Sequence, residues 1–164
     1  MTLDRPARTA KIGMTACLAA FAFLVCLNNL TDYGDNFAFV RHVLSMDSVF
    51  ADNRLLWRAV TVPWAWHAAY LSIIAAEGLT GALFACATWQ MLRQRTAAAA
   101  QFAAAKRCVH YGLLVGFLLW FLGFAAIGGE WFTMWQSRIW NGQEPAFRFC
   151  LTLIAVGLYI NQPD

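Results

Sequence analysis

Charge is what this chain has least of. Only 13% of its 164 residues are Asp, Glu, Lys or Arg, against about a quarter in an ordinary soluble domain. With 60% hydrophobic residues and a mean hydropathy of +0.52, the composition excludes a water-soluble globule and points to an integral membrane protein. Catalytic signatures are also missing: there is no Walker loop, no GxSxG, no HExxH and no carboxylate pair at a readable spacing, so nothing supports an enzyme. No basic patch for nucleic acid is present. The five cysteines form no CxxC or other metal spacing and read as small hydrophobes, leaving no cofactor to expect.

What is there is length of apolar chain. A bilayer core of about 30 Å needs about 20 apolar residues per helix, and four stretches approach that, at roughly 12–30, 64–91, 109–129 and 145–161. The expectation is an all-α membrane four-helix bundle, one domain over residues 1–164. The fourth span is the weakest, with Arg148 near its start and a purely apolar run only over 149–160; snorkelling and local thinning would let it cross. The first, with Arg5, Arg8 and Lys11 before it, also fits a secretory signal, but no convincing small-residue cleavage site follows, and a retained helix is expected.

Lys and Arg cluster at the N-terminus and between spans two and three (Arg93, Arg95, Lys106, Arg107), with Asp4 the one acid there. By the positive-inside rule these ends are cytoplasmic and both termini lie inside. The outer links, 31–62 and 130–145, mix Arg41, Arg54, Arg58 and Arg138, with Arg148 just beyond, and Asp32, Asp35, Asp47, Asp52, Glu130 and Glu144. Trp64, Trp66, Trp89, Trp131, Trp135 and Trp140 fall at the proposed interfaces, where indoles settle. Trp120, in mid-span, reads as packing.

The first outer link is too long to lack structure. Phe39, Val40, Val43 and Leu44 recur at helical spacing, which predicts an amphipathic helix over residues 36–49. Asp52 or Asn53 would cap a second over 54–60, and Pro63 would open span two. "NNLTDYGDN" reads as a capping turn where span one ends, and "RQRTAAAAQFAAAKR" as helix extensions turning near 96–101. "GLLVG" puts Gly112 and Gly116 four apart, suited to close helix packing inside the chain.

Glu77 is the sharpest candidate. It shares a stripe with His67, Tyr70, Ile74, Gly81, Phe84 and Thr88 at spacings of three and four, so it faces inward near mid-membrane. An ionised acid there costs a few kcal/mol on insertion scales. The functional readings are a proton relay, an ion ligand or a hydrogen bond to a quinone or other amphiphile; the structural one is a partner such as Arg58. His42, with Met46 four residues on and Asp47 to orient it, suggests a haem or metal ligand only weakly, and of the three histidines only His42 and His67 could meet. A polar aromatic cap over Glu77, built from Arg58, Asp47, Glu130, Trp135, Asn141 and their neighbours, completes the candidate site. In it Arg58, Arg138 and Arg148 would pair with Asp47, Glu130 or Glu144, while Gln136, Asn141 and Gln143 satisfy backbone groups.

"NNLTDYGDNFAFVRHVLSMD", "WRAVTVPWAWHAAY", Glu77-Gly78 and "GGEWFTMWQSRIWNGQEPAFRF" together resemble a bacterial family of small integral membrane proteins of unknown function, over most of residues 28–150. The resemblance implies a four-helix inner-membrane protein and brings no activity or site. It also sets Trp66 where a second histidine is expected, which weakens a two-histidine metal site. Three functions stand open: an accessory subunit binding a ligand, or a larger membrane or periplasmic protein; a proton- or cation-coupled transporter or channel subunit, which would need a homo-oligomer; and a haem- or quinone-binding redox anchor.

Overall fold

The computed structural model describes residues 5–163, so Asp4 lies outside it. No strand occurs among the described residues. The chain runs α1 (Arg5–Thr31), α2 (Tyr33–Ser45), α3 (Pro63–Arg93), α4 (Ala99–Ala105), α5 (Arg107–Phe117) and α6 (Gln143–Ile160). Single 3-10 turns stand at Leu56–Arg58 and Met134–Gln136.

Three helical segments are long and apolar enough to cross a membrane: Arg5–Thr31, Pro63–Arg93 and Ala99–Trp131. At 1.5 Å per residue, α1 and α3 reach about 40 and 46 Å, more than a hydrocarbon core requires. α6 sits where the fourth span was expected, but its 18 residues reach only about 27 Å. Its first turns also carry Glu144 and Arg148, an exposed i,i+4 ion pair. These polar first turns lower its hydropathy, and it is not among the three.

Two expectations shift. The amphipathic helix of the first link begins earlier and ends sooner than 36–49, because Met46 adopts a left-handed conformation (φ 53°) and stops it. Residues 54–60 form only the 3-10 turn, whose N-cap position is Leu55 and which has no side-chain cap; Asn53 lies just before it, its Oδ1 accepting from the Leu55 N–H at 2.7 Å. Pro63 opens α3 as expected, at a position where its missing N–H costs nothing.

Nothing in the sequence announced the third difference. From Leu118 to Trp131 the helix continues as a π-helix, and the Phe132 N–H donates to the Ile127 carbonyl, five residues back, at 3.0 Å. π-turns usually occur singly and often at functional sites; here fourteen residues take that form, and their apolar pattern is equally compatible with an α-helix.

The core lies between α1, α3, the α5/π segment and α6. Gly112 and Gly116 serve packing inside the chain: a Cβ at Gly112 would stand 2.9 Å from the Phe84 ring, and one at Gly116 would stand 2.8 Å from Leu153. At one end of the molecule Arg8 donates to the Arg95 and Ala97 carbonyls at 3.1 and 2.7 Å, and Lys11 donates to the Gln162 carbonyl at 2.6 Å. These buried cations tie together the start of α1, the α3–α4 turn and the end of α6. The two long polar links meet at the other end.

Candidate functional site

Asn29 and Glu77 come together because α1 and α3 pack along most of their length. The Asn29 amide donates to both carboxylate oxygens of Glu77, at 2.9 and 2.8 Å, and the Tyr70 hydroxyl donates to the Asn29 carbonyl at 2.8 Å. Tyr70 and Glu77 lie seven residues apart on α3, on one face, and each is 2% exposed. The expected stripe therefore holds from Tyr70 to Phe84, and it ends at both extremes: His67 is exposed, and Ala87 is buried in place of Thr88.

This group borders a cavity of about 230 Å³. α2 closes one side with Asn36, Phe39 and Val40, the π-helix contributes Trp120 and Phe124, and the start of α6 contributes Ala146 and Phe149. Glu77, Asn29, Asn36 and Tyr70 are the polar groups in an otherwise aromatic and aliphatic wall. Trp120, read from the sequence as packing alone, is buried at 3% exposure and also lines this space.

The cap is a set of hydrogen bonds between the two polar links. Asn53 Nδ2 donates to Thr133 Oγ1 and to Gln136 Oε1, both at 2.9 Å, and the Phe50 N–H donates to Gln136 Oε1 at 3.1 Å. The Ser48 hydroxyl donates to Ser137 Oγ at 3.0 Å. Beneath them Val43, Met46, Phe132 and Met134 form a buried cluster. Met46 and Thr133, the two non-glycine residues with positive φ among the described residues, both lie in this seam. Left-handed backbone costs roughly 1–2 kcal/mol per residue, here offset by burial of the Met46 and Thr133 side chains.

Several sequence candidates go elsewhere. Arg58 does not reach Glu77: its guanidinium lies over the Trp131 and Trp57 rings at 4.4 and 5.3 Å and donates to the Trp131 carbonyl at 3.2 Å. A guanidinium on indole faces keeps its charge near water, whereas reaching Glu77 would bury it. Asp47 pairs with His42 Nδ1 at 2.8 Å instead of an arginine. The His42 ring stacks on Trp140 at 4.5 Å, while Met46 turns into the cluster under the cap, so the two form no ligand pair. His67 engages the first turns of α2, with Nδ1 2.8 Å from the Tyr33 hydroxyl and its ring stacked on Phe37 at 4.2 Å.

Glu130 and Asn141 are exposed; Asn141 Oδ1 accepts from the Gln143 N–H at 3.1 Å. Trp135 is half exposed and meets the Phe50 ring edge-on at 5.9 Å. Gln143 lies against Gly129. Arg148 pairs with Glu144 within its own helix, and Arg138 is exposed. Among the described residues, no three His, Cys, Asp or Glu side chains converge as a metal cluster.

Sequence reasoning missed Asn29. "NNLTDYGDN" looked like the turn that ends span one, but α1 runs on to Thr31, so Asn29 sits inside the helix and points across to α3. The available signal was an amide inside an apolar run, on a helix that packs against α3.

These features define a small, helical integral membrane protein with a polar site buried in an apolar interior. The chain belongs to the family described as predicted small integral membrane protein (DUF2165), which it matches over residues 7–163. No curated protein and no solved structure matches it.

Proposed function

We propose that this is an accessory membrane protein that binds a small amphiphile in the cavity beside Glu77, under the cap. The observation that carries the reading is the Tyr70–Asn29–Glu77 group, with Tyr70 and Glu77 buried, on the wall of a 230 Å³ space lined by aromatic rings. Largely apolar pockets with a few convergent polar groups are the usual form of small-ligand sites. In this reading α6 is a short fourth span completing a four-helix bundle, and the membrane is a bacterial inner membrane. Both termini are cytoplasmic, since Arg8, Lys11, Arg93, Arg95, Lys106 and Arg107 gather at one end. The cap then faces the periplasm, where exposed Trp57, Trp135 and Ile139 offer contacts to a larger membrane or periplasmic protein.

Native mass spectrometry of the full chain, extracted in mild detergent, tests the reading. The wild type is expected to carry a small amphiphile, and Ala146→Phe, which fills the cavity, to lose it. A wild-type chain that carries none, and that gains no thermal stability from a host lipid extract, would overturn it.

A second reading, a proton- or cation-coupled transporter or channel subunit, draws on the same intramembrane carboxyl, because such residues often mark ion paths. Proteoliposome flux that is equal for wild type and Glu77→Gln would remove it.

A further inference from the structure

The Glu77 cavity does not stand alone. An apolar groove of about 650 Å³ runs between α1 and α6, from Ala10 and Gly13 up to Phe21, with Thr152 and Val156 opposite. Trp120 and Phe149 line both spaces. Phe21, Trp120 and Phe149 form one cluster, with centroid separations of 6.0, 4.6 and 5.5 Å, at the place where the groove meets the cavity. The groove opens past Gly13, Cys17 and Thr152, all exposed, on a surface that faces hydrocarbon when α1 crosses the bilayer.

Resting on the ligand-binding reading above, we propose that this seam binds a lipophilic organic cation, with its charged head against Glu77 and its apolar tail in the α1/α6 groove. Charge complementarity selects the head. Among the described residues, no Lys, Arg or His nitrogen forms an ion pair with the Glu77 carboxylate, whose partner is the neutral Asn29 amide. A carboxylate sunk in the membrane with only an amide for company lacks a counter-charge, and a cationic ligand supplies it.

The walls point the same way. Tyr70, Trp120, Phe124 and Phe149 surround the space, and ring faces attract cations, quaternary ammonium groups above all. The pull is strong at low dielectric. An anionic head meets the carboxylate's repulsion, and a neutral head gains a hydrogen bond without neutralising the acid. The tail works differently: passing from lipid to an apolar groove, it leaves one hydrocarbon environment for another and gains little. Head charge therefore sets affinity, while the groove houses the tail and lets the ligand enter sideways from the bilayer.

The test is equilibrium binding of radiolabelled dodecyltrimethylammonium to the full chain in phosphatidylcholine nanodiscs, with decyl-quinone and dodecyl sulfate as neutral and anionic competitors. Saturable binding of one cation per chain is expected. It should weaken by roughly tenfold or more in Glu77→Gln and several-fold in Phe124→Leu, and stay unchanged in the exposed-link variant Asp52→Asn, with thermal unfolding showing that each variant is folded. Dodecyl sulfate should not compete. Equal cation affinity in wild type, Glu77→Gln and Phe124→Leu would overturn the inference. If decyl-quinone binds and Ala146→Phe abolishes it, while the cation does not bind, the cationic assignment falls and the amphiphile site stands. If no probe binds, both fall.

Discussion

Asn29 donates its amide to both oxygens of the Glu77 carboxylate, bridging α1 and α3 across 48 residues of sequence. One neutral side chain thereby bonds both oxygens of a buried acid without supplying a counter-charge. The same residue accepts from Tyr70 through its backbone carbonyl, so three side chains on two helices hold each other in place.

Asn29→Leu keeps the branched shape and removes the donor. Leaving a buried polar group unsatisfied costs about 1–3 kcal/mol, whereas replacing both partners with apolar groups of similar shape can be nearly neutral. The single variant should therefore be destabilised by that amount, and Asn29→Leu/Glu77→Leu should recover most of it. Unfolding in mixed micelles checks this as a double-mutant cycle. A double variant as unstable as the sum of its two singles would show that the pair is not coupled.

Gly116 sits where a Cβ would stand 2.8 Å from Leu153 and 3.1 Å from Trp120. Gly116→Ala asks only that the Leu153 tip move, but Gly116→Val should cost about 1–3 kcal/mol through overpacking. Because the contact is within one chain, light scattering in detergent should return the same oligomeric state for wild type and variant. A change of state with no loss of stability would place this glycine at a subunit interface instead.

The cap depends heavily on Asn53, whose side chain makes three hydrogen bonds, to Leu55, Thr133 and Gln136. Asn53→Ala should loosen the first link from the second. Hydrogen exchange is expected to rise at residues 46–62 and 133–137 and to stay unchanged in the inner halves of α1 and α3. Uniform acceleration along the chain would mean that the cap is no separate unit.

Cys86 on α3 and Cys108 on α5 hold their sulfurs 3.5 Å apart. Copper-phenanthroline oxidation of the purified chain should therefore link 86 to 108 in preference to any other pair among the five cysteines. A dominant link through Cys17, Cys26 or Cys150 would contradict the α3/α5 register.

Three apolar stretches, the helix in the first link and the inward stripe through Glu77 were legible because helical periodicity and bilayer thickness each leave a direct mark on sequence. The apolar run confined to 149–160 and Arg148 before it likewise marked the span at 145–161 as the weak one, and α6 is not among the three helices long and apolar enough to cross a membrane. The environment of Glu77 was not legible. Its partner was sought among charges, so Arg58 was nominated and Asn29 overlooked, although an amide can satisfy a carboxylate without burying a second ion. Trp120 and Phe149 took on a role only once α6 was laid against the π-helix. That helix leaves no mark of its own, since Leu, Phe, Ala and Gly at residues 118–131 suit either winding. Asp47 was offered both as an orienting partner for a His42 ligand and as an arginine's partner; it pairs with His42, whose ring stacks on Trp140.

The central claim is that the two polar links close a single roof over Glu77 on the side of the membrane opposite the termini. Ser48 and Ser137, whose hydroxyl oxygens are 3.0 Å apart, allow it to be measured in intact cells. In a background without native cysteines, Ser48→Cys/Ser137→Cys should form an intrachain disulfide under mild oxidation. Single cysteines at the exposed neighbouring positions Asp47 and Arg138 should react with a membrane-impermeant maleimide added from outside. Labelling at 47 and 138 only after the cells are opened, or labelling from outside with no cross-link between 48 and 137, would contradict the account.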